Sequence, residues 1–473
     1  MPSGADGEAV DVIDRLVIFG ATGDLSGRYL LPGLAALLAG GHLSERFELV
    51  GASREDWDDE QFRTWATGWL QREPVNVDAA ATLVRASRYR RLDLADPASE
   101  SACLAGEGPV AVYLALPPSV FGVAVSALHR AGLPADSQLV LEKPFGVDLD
   151  SAIALNRLLA ELVDERHVFR VDHFLAMTTV QNVLGTRLAN RVLEPLWNSA
   201  HIDEIEIIWE ESLALEGRAG YYDHVGALKD MVQNHLLQLL CLVAMEPPIS
   251  LGERDLRDRK VDVLRSVRPF TDEDVAARTR RARYGAGRVR DHAVPAYVDE
   301  DGVNPEHGTE TFAEVVLELD SWRWSQTRFR LRTGKAMGQD RMAVVVHFRP
   351  VPHLPFEQSQ GAVANRLHFG LEPEGLTLEL TGTGPSVAQT LVPLTLSAEM
   401  QPPELPAYGR ILLDVLQGNS ALSIRADEAE EAWRVLTPVL DGWSRNLVPL
   451  SEYEAGSDGP PASGAPRPNQ RRT

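Results

Sequence analysis

Two short stretches of this chain carry the residue types of acid–base chemistry. Arg170-Val171-Asp172-His173-Phe174-Leu175-Ala176-Met177 sets a carboxylate beside an imidazole, and an imidazole served by a carboxylate is a common general base. It falls between helix-like segments, so a strand end or loop is expected, where a rigid scaffold carries reacting groups. Asp-His pairs also occur at surfaces and helix caps, so the pair alone does not define a site. The second stretch, Gln233-Asn234-His235, lies in a helical segment from Gly226 to Ala244. His235 shares a stripe with Leu228, Met231, Leu239 and Leu242, which suits either a satisfied core histidine or an imidazole aimed into a cleft. Lys143, after an apolar run and before Pro144, could clamp a substrate, with a cis Pro144 aiming it. Lys335, in Arg332-Thr333-Gly334-Lys335, follows a strand and could lie beside the same ligand.

The elements that must hold these groups are legible in order. Arg15 to Gly20 is an apolar, β-forming run that predicts a buried parallel strand. Gly20-Ala21-Thr22-Gly23-Asp24-Leu25 follows, then helical spacing from Leu30 to Leu38. Strand, glycine turn and helix let backbone N–H groups face a pyrophosphate. A second strand, Phe47 to Ala52, runs into Ser53-Arg54. An acidic residue there suits the ribose hydroxyl of NAD, whereas Arg54 suits a 2′-phosphate and so NADP. Further strands, Val110 to Leu116 before Pro117-Pro118 and Gln138 to Glu142 before Lys143, complete the alternation. It predicts a doubly wound parallel sheet, with ligands at the strand C-terminal ends. Ser151 to Arg166 and Val180 to Leu196 read as helices. Strand candidates at 202–209, 312–319, 328–331, 342–348 and 376–380 are not regularly separated by helices, so the second half is expected to be α+β on a large, mostly antiparallel sheet. Helices are expected at 407–417 and 426–439, and no internal repeat is present. The expected division is a disordered 1–14, a dinucleotide-binding domain at 15–170, a substrate and oligomerisation domain at 171–454, and a disordered tail at 455–473 rich in Gly, Pro and Ser.

Composition narrows the function. The 473 residues carry 46 Lys and Arg against 68 Asp and Glu, a net charge of -22, which argues against nucleic acid or an anionic membrane as partner. A small anion held by a few local cations remains open. Cys103 and Cys241 are the only cysteines, too few for a disulfide framework or a thiolate zinc site. With no signal-like pattern in Met1 to Asp14 and no run long enough to span a bilayer, a cytoplasmic location is the default expectation.

Taken together the motifs resemble the glucose-6-phosphate dehydrogenase family. The likeness runs through Gly20 to Leu25, Pro117-Pro118, Glu142 to Gly146, Arg170 to His173, Glu216 to Arg218, Gly220 to Asp223, Gln233 to Gln238, Leu331 to Lys335, Ala426 to Glu428 and Ala432 to Arg434, about residues 15 to 450. The resemblance implies oxidation of the C1 hydroxyl of a hexose 6-phosphate to its lactone with hydride passing to NADP, in the oxidative pentose phosphate pathway. It implies His235 as general base, Asp172 as its orienting carboxylate, and Lys143, Glu211, Asp223 and Lys335 as holders of the sugar hydroxyls. Gly20, Ala21, Thr22, Gly23, Asp24, Leu25, Arg54, Pro117 and Lys143 would bind the cofactor. It implies no metal, and an uncovered sheet face suits a homodimer or homotetramer.

The departures concern the substrate's far end. The resembling stretch usually reads Asp-His-Tyr-Leu-Gly-Lys-Glu; here Phe174, Ala176, Met177 and Thr178 stand at the Tyr, Gly, Lys and Glu positions. The resemblance puts the 6-phosphate against the His, Tyr and Lys, leaving His173 with Met177 in place of the Lys. One lost charge-assisted contact is worth about 1.5–3 kcal/mol. Tyr29 replaces a usual Lys and His224 a usual Glu; Arg170 or His224 could compensate. Three readings follow: a glucose-6-phosphate dehydrogenase, a dehydrogenase of the same fold for a free or differently substituted hexose walled by Phe174 and Met177, and a non-catalytic NADP-binding protein.

Overall fold

The computed structural model describes residues 13–44, 46–356, 362–385 and 390–461. The chain divides into two compact units. The first holds the residues up to Glu194, together with Cys241–Arg265 and Met400–Val435. The second holds Pro195–Leu240, Ser266–Glu399 and the residues from Leu436 on. A single boundary after residue 170 has no room for these two returns to the first unit.

The first unit is built on six parallel strands: β1 Arg15–Phe19, β2 Glu48–Ser53, β3 Ser87–Arg91, β4 Ala111–Leu114, β5 Gln138–Glu142 and β6 Val168–Val171. Their order is β3-β2-β1-β4-β5-β6, all pairs parallel, which is the doubly wound dinucleotide-binding topology. β1 and β4 are buried along their whole length, as strands covered by helices on both faces must be. The chain order reverses between β1 and β4, and the crevice at such a switch point takes the ligand.

The helix Ala407–Leu416 belongs to this unit although it is nearly four hundred residues from β1 in sequence. Leu412, Val415 and Leu416 join Leu31, Leu34 and Ala35 in one core cluster, and Ile13 N–H donates to Leu416 O at 2.9 Å. A Cβ on Gly33 would stand 3.0 Å from Gly409 N, so glycine lets the two helices approach. Ile13 is thus packed, and residues 1–12 lie outside the described residues.

The second unit carries a nine-stranded sheet. β7 is Ile202–Glu210 and β8 is Thr279–Gly285; β9 Gly287–Val289 and β10 His292–Val294 form a separate ribbon. β11 Phe312–Glu318, β12 Arg328–Gly334, β13 Arg341–Phe348, β14 Arg366–Glu372, β15 Glu374–Thr383, β16 Leu391–Glu399 and β17 Ser451–Glu454 follow. The order is β16-β15-β14-β13-β7-β12-β11-β8-β17. It is mostly antiparallel, but β7–β12 and β8–β17 pair in parallel.

Three expectations need correction. The helix expected to reach Leu196 ends at Leu188, before the polar turn Ala189-Asn190-Arg191. The tail is not disordered from residue 455: Ala455 is buried, Gly338 N–H donates to Ser457 O at 2.8 Å, and Arg332 donates to Asp458 O at 2.8 Å. Gly456 and Gly459 have φ of 87° and 86°, so glycine there makes the turns that fold this segment back, rather than loosening it. Residues 462–473 lie outside the described residues. The helix expected over Gly226 to Ala244 is present, but its first part, Leu228–Leu236, is a wide π-type helix before the α-helix Leu237–Ala244; wide turns of this kind occur often at functional sites.

Candidate active site

In the first unit the expected ligand-binding residues share the C-terminal edge of the parallel sheet. Gly20 follows β1, Ser53 and Arg54 close β2, Pro117 follows β4, Lys143 follows β5, and Asp172 and His173 follow β6. The glycine turn is tightly held: Gly20 has φ of 85°, its N–H donates to Ala52 O at 2.8 Å, and a Cβ there would lie 2.2 Å from Ala115 O. Thr22 Oγ1 donates to Ser53 Oγ at 3.1 Å and Glu55 Oε2 at 3.0 Å, tying the turn to β2. Ala21 is buried, Leu25 half-buried, and Gly23 and Asp24 are exposed, with Asp24 paired to Arg28 at 3.1 Å. Arg54 is 93% exposed, with Glu55 3.7 Å away. A close glycine turn leading into a helix start and an unburied guanidinium at the β2 end fit a dinucleotide with a 2′-phosphate. Gly20, Ala21, Thr22, Gly23, Asp24, Leu25, Arg54 and Pro117 are the residues that would hold it, and its nicotinamide supplies the hydride acceptor.

Around Lys143 the structure adds groups that sequence reasoning passed over. The Lys143–Pro144 peptide is cis, as expected. Glu142, read only as a strand end and the start of the Glu142 to Gly146 motif, is half-buried; its carboxyl accepts from Tyr113 Oη and is hydrogen-bonded by the Tyr408 phenol. Burial pushes its pKa up to about 7. The two phenols and Lys143 pull down, and Asp172 pushes up. Its spacing from Tyr113 and Tyr408 spans distant segments, so no local pattern could reveal it.

Asp172 is buried and caps the short helix His173–Ala176, Oδ1 accepting from Phe174 N–H at 3.0 Å. His173 is half-buried and stacks on the Tyr408 ring, centroids 5.8 Å apart. Met177 is half-buried. Phe174 is 4% exposed, so it fills core rather than walling an open pocket. Arg170 cannot compensate for the missing cation: it is fully buried, bound to Glu165 at 2.7 Å and Asn156 at 2.8 Å. His224 is exposed and its ring lies 4.9 Å from that of His307.

In the second unit Lys335 and Glu211 come together, Nζ to Oε2 at 2.7 Å, with Lys335 also over the Tyr222 ring at 5.5 Å. Glu211 N–H donates to Gly334 O at 2.9 Å, so β7 and β12 deliver the pair in register. Asp223 does not present a free carboxylate. It is 4% exposed and accepts from Tyr297 Oη at 2.7 Å, Asn304 N–H at 3.0 Å and His307 Nδ1 at 2.7 Å. Burial raises its pKa, but these three contacts outweigh it and leave the pKa below the ordinary value. Its role is to anchor the 304–309 loop, and the expected sugar contact is corrected accordingly. Asp230, which sequence reasoning left without a role, is half-buried and accepts from Tyr221 Oη at 3.4 Å. It stands five residues before His235 in the wide helix, about one turn away on the same side. His235 is 1% exposed. Glu310 Oε1 accepts from Leu228 N–H at 2.9 Å and fixes the start of that helix.

Whole-length comparisons decide the family. Residues 17–182 match the model described as glucose-6-phosphate dehydrogenase, NAD binding domain, and residues 184–471 match its C-terminal domain. The chain belongs to the glucose-6-phosphate dehydrogenase family. It is 40% identical over 472 residues to a glucose-6-phosphate 1-dehydrogenase of Mycolicibacterium smegmatis, covering 95% of each chain. It is 37% identical to the one from Zymomonas mobilis, covering 95% of this chain and 96% of that one. A solved glucose-6-phosphate dehydrogenase in complex with glucose-6-phosphate superposes with a TM-score of 0.87 at 28% identity, over 95% of this chain and 96% of the other. The enzyme from Mycobacterium avium gives 0.84 at 32%, with the same coverage. As a glucose-6-phosphate dehydrogenase family member, the chain keeps both family domains in the order expected from its motifs.

Proposed function

We propose that this protein is an NADP-dependent glucose-6-phosphate 1-dehydrogenase, an oxidoreductase acting on a CH–OH group. His235 would take the C1 hydroxyl proton, and bound NADP would supply the acceptor for the C1 hydride as C1 becomes the lactone carbonyl. Asp172 orients the imidazole and supports its protonated form. Lys143, Glu211 and Lys335 hold the sugar hydroxyls, with Asp230 in the place first given to Asp223. His173 meets the phosphate end beside Met177. The observation that carries this reading is the whole-length likeness, 37–40% identity over 95% of the chain, to proteins named for that activity. Neither the free-hexose nor the non-catalytic alternative is favoured by these relatives. Purified protein is expected to reduce NADP with glucose 6-phosphate at a kcat/KM orders of magnitude above that with glucose. Equal rates on the two sugars, or no NADPH formed from either, overturn the proposal.

Two variants check its parts. Arg54→Ala is expected to raise KM for NADP about 10- to 100-fold, the size of a charge-assisted contact, and to change KM for NAD little. An equal rise for both cofactors removes the 2′-phosphate role. Met177→Lys is expected to lower KM for glucose 6-phosphate about 10-fold or more without changing KM for NADP. Phe174 is left alone because a Tyr there buries a hydroxyl in core. An unchanged KM for the sugar phosphate counts against Met177 at the phosphate end.

The same reading includes a cytoplasmic, self-associated enzyme of the oxidative pentose phosphate pathway. No helix among the described residues is long and apolar enough to cross a membrane, and Cys103 and Cys241 are free and buried. Leu394 and Leu396 are 47% and 59% exposed on β16, in register with Leu380 and Leu378 of β15. This apolar sheet face supports a homodimer or homotetramer.

A further inference from the structure

Within the first unit, Tyr29, Tyr113, Tyr408 and Glu142, none of which has an assigned role, form a cluster against His173. Tyr408 stands in the first turn of the helix Ala407–Leu416. Its ring stacks on Tyr29 at 5.1 Å and 25°, and on His173 at 5.8 Å and 20°. Its hydroxyl hydrogen-bonds Glu142, which also accepts from the fully buried Tyr113. A stacked ring has freedom to slide and rotate in its plane. A hydrogen bond at its para position removes that freedom. Tyr113 in turn is locked in β4 by the sheet on both sides, so the chain of contacts runs from a rigid strand to the His173 imidazole.

We propose that Glu142 is a positioning residue for the substrate end of this site, its carboxylate fixing the Tyr408 phenol so that the Tyr408 ring holds the His173 imidazole in place. This rests on the reading that His173 meets the substrate. Glu142 is suited to the task because it is anchored from several sides. Tyr113 on β4, Tyr408 on the helix, Lys143 next in the chain and Asp172 after β6 all act on it. Burial sets its ionisation at about 7. The network therefore loosens as pH falls below that value, because the protonated carboxyl is a weaker acceptor for two phenols.

The test is Tyr408→Phe, which keeps the stacking ring and deletes the hydroxyl, beside Glu142→Gln. Tyr408→Phe is expected to raise KM for glucose 6-phosphate about 3- to 10-fold, the size of one hydrogen bond. Its kcat and its KM for NADP are expected to stay within about twofold. The wild type's KM is expected to rise below about pH 7, where the Glu142 carboxyl takes up its proton, and that rise is expected to be flattened in both variants. In isotope-labelled protein the His173 ring resonances, assigned with His173→Ala, should move in both. Unchanged His173 resonances and an unchanged KM in a folded Tyr408→Phe protein overturn the proposal. If His173→Ala leaves KM for the sugar phosphate unchanged while the resonances still move, the network stands and the substrate-end reading of His173 is what fails.

Discussion

His235→Asn is expected to lower kcat by on the order of 10²–10⁴, the usual contribution of a general base. Asparagine is close in size and keeps one polar end, so the wide helix should survive. The backbone N–H of residue 235 donates to Asn234 Oδ1 at 2.6 Å, and substitution of the side chain leaves that bond intact. The side chain itself is 1% exposed, so bulk water is a poor replacement base. NADP binding, measured by fluorescence titration, should be unaffected, because the expected cofactor residues follow the C-terminal ends of β1, β2, β4 and β5. A near-normal kcat in the folded variant removes His235 from the chemistry.

The largest stability effect is expected from Glu428→Ala. Lys260 Nζ and Glu428 Oε2 are 2.9 Å apart and both side chains are fully buried. Breaking such a pair leaves one charge stranded, at a cost of about 3–5 kcal/mol. The melting temperature should fall by on the order of 10 °C. The paired replacement Lys260→Met with Glu428→Leu removes both charges and fills similar volume, so it should melt close to wild type. A single variant that melts within a degree or two of wild type rules out a stranded charge at this position.

The parts of this fold that sequence could reveal are those written in local spacing. β1 and the Gly20–Gly23 turn adjoin in sequence and match their expected places, while the helix expected from Leu30 already begins as a wide turn at Ser26–Leu30. Lys143 stood out for the same reason, following the apolar run Leu139 to Leu141; Asp172 follows Val168–Val171, whose run Arg170 interrupts, so only a strand end or loop could be expected there. The carboxylate assignments were harder. Asp223 and Asp230 are seven residues apart and look alike in the chain. What distinguishes them is Tyr297, Asn304 and His307, which close over Asp223 from eighty residues away. Arg170 likewise looked available for an anion until Glu165 and Asn156 enclosed it. Glu142 showed only as the first residue of the Glu142 to Gly146 motif, and its network was hidden because its partners come from a neighbouring strand and from residue 408.

The returns of the chain to the first unit bear on how the protein is made. The helix Ala407–Leu416 packs with Leu31 and Leu34, so the sheet that begins at residue 15 lacks part of its cover until residue 416 has left the ribosome. At about 5–20 residues per second, the stretch from Glu194 to Leu416 takes roughly ten to forty seconds to synthesise. During that interval a nearly complete nucleotide-binding sheet exposes apolar surface meant for a segment not yet made. A fragment ending near residue 194, which lacks that cover, is therefore expected to aggregate rather than fold.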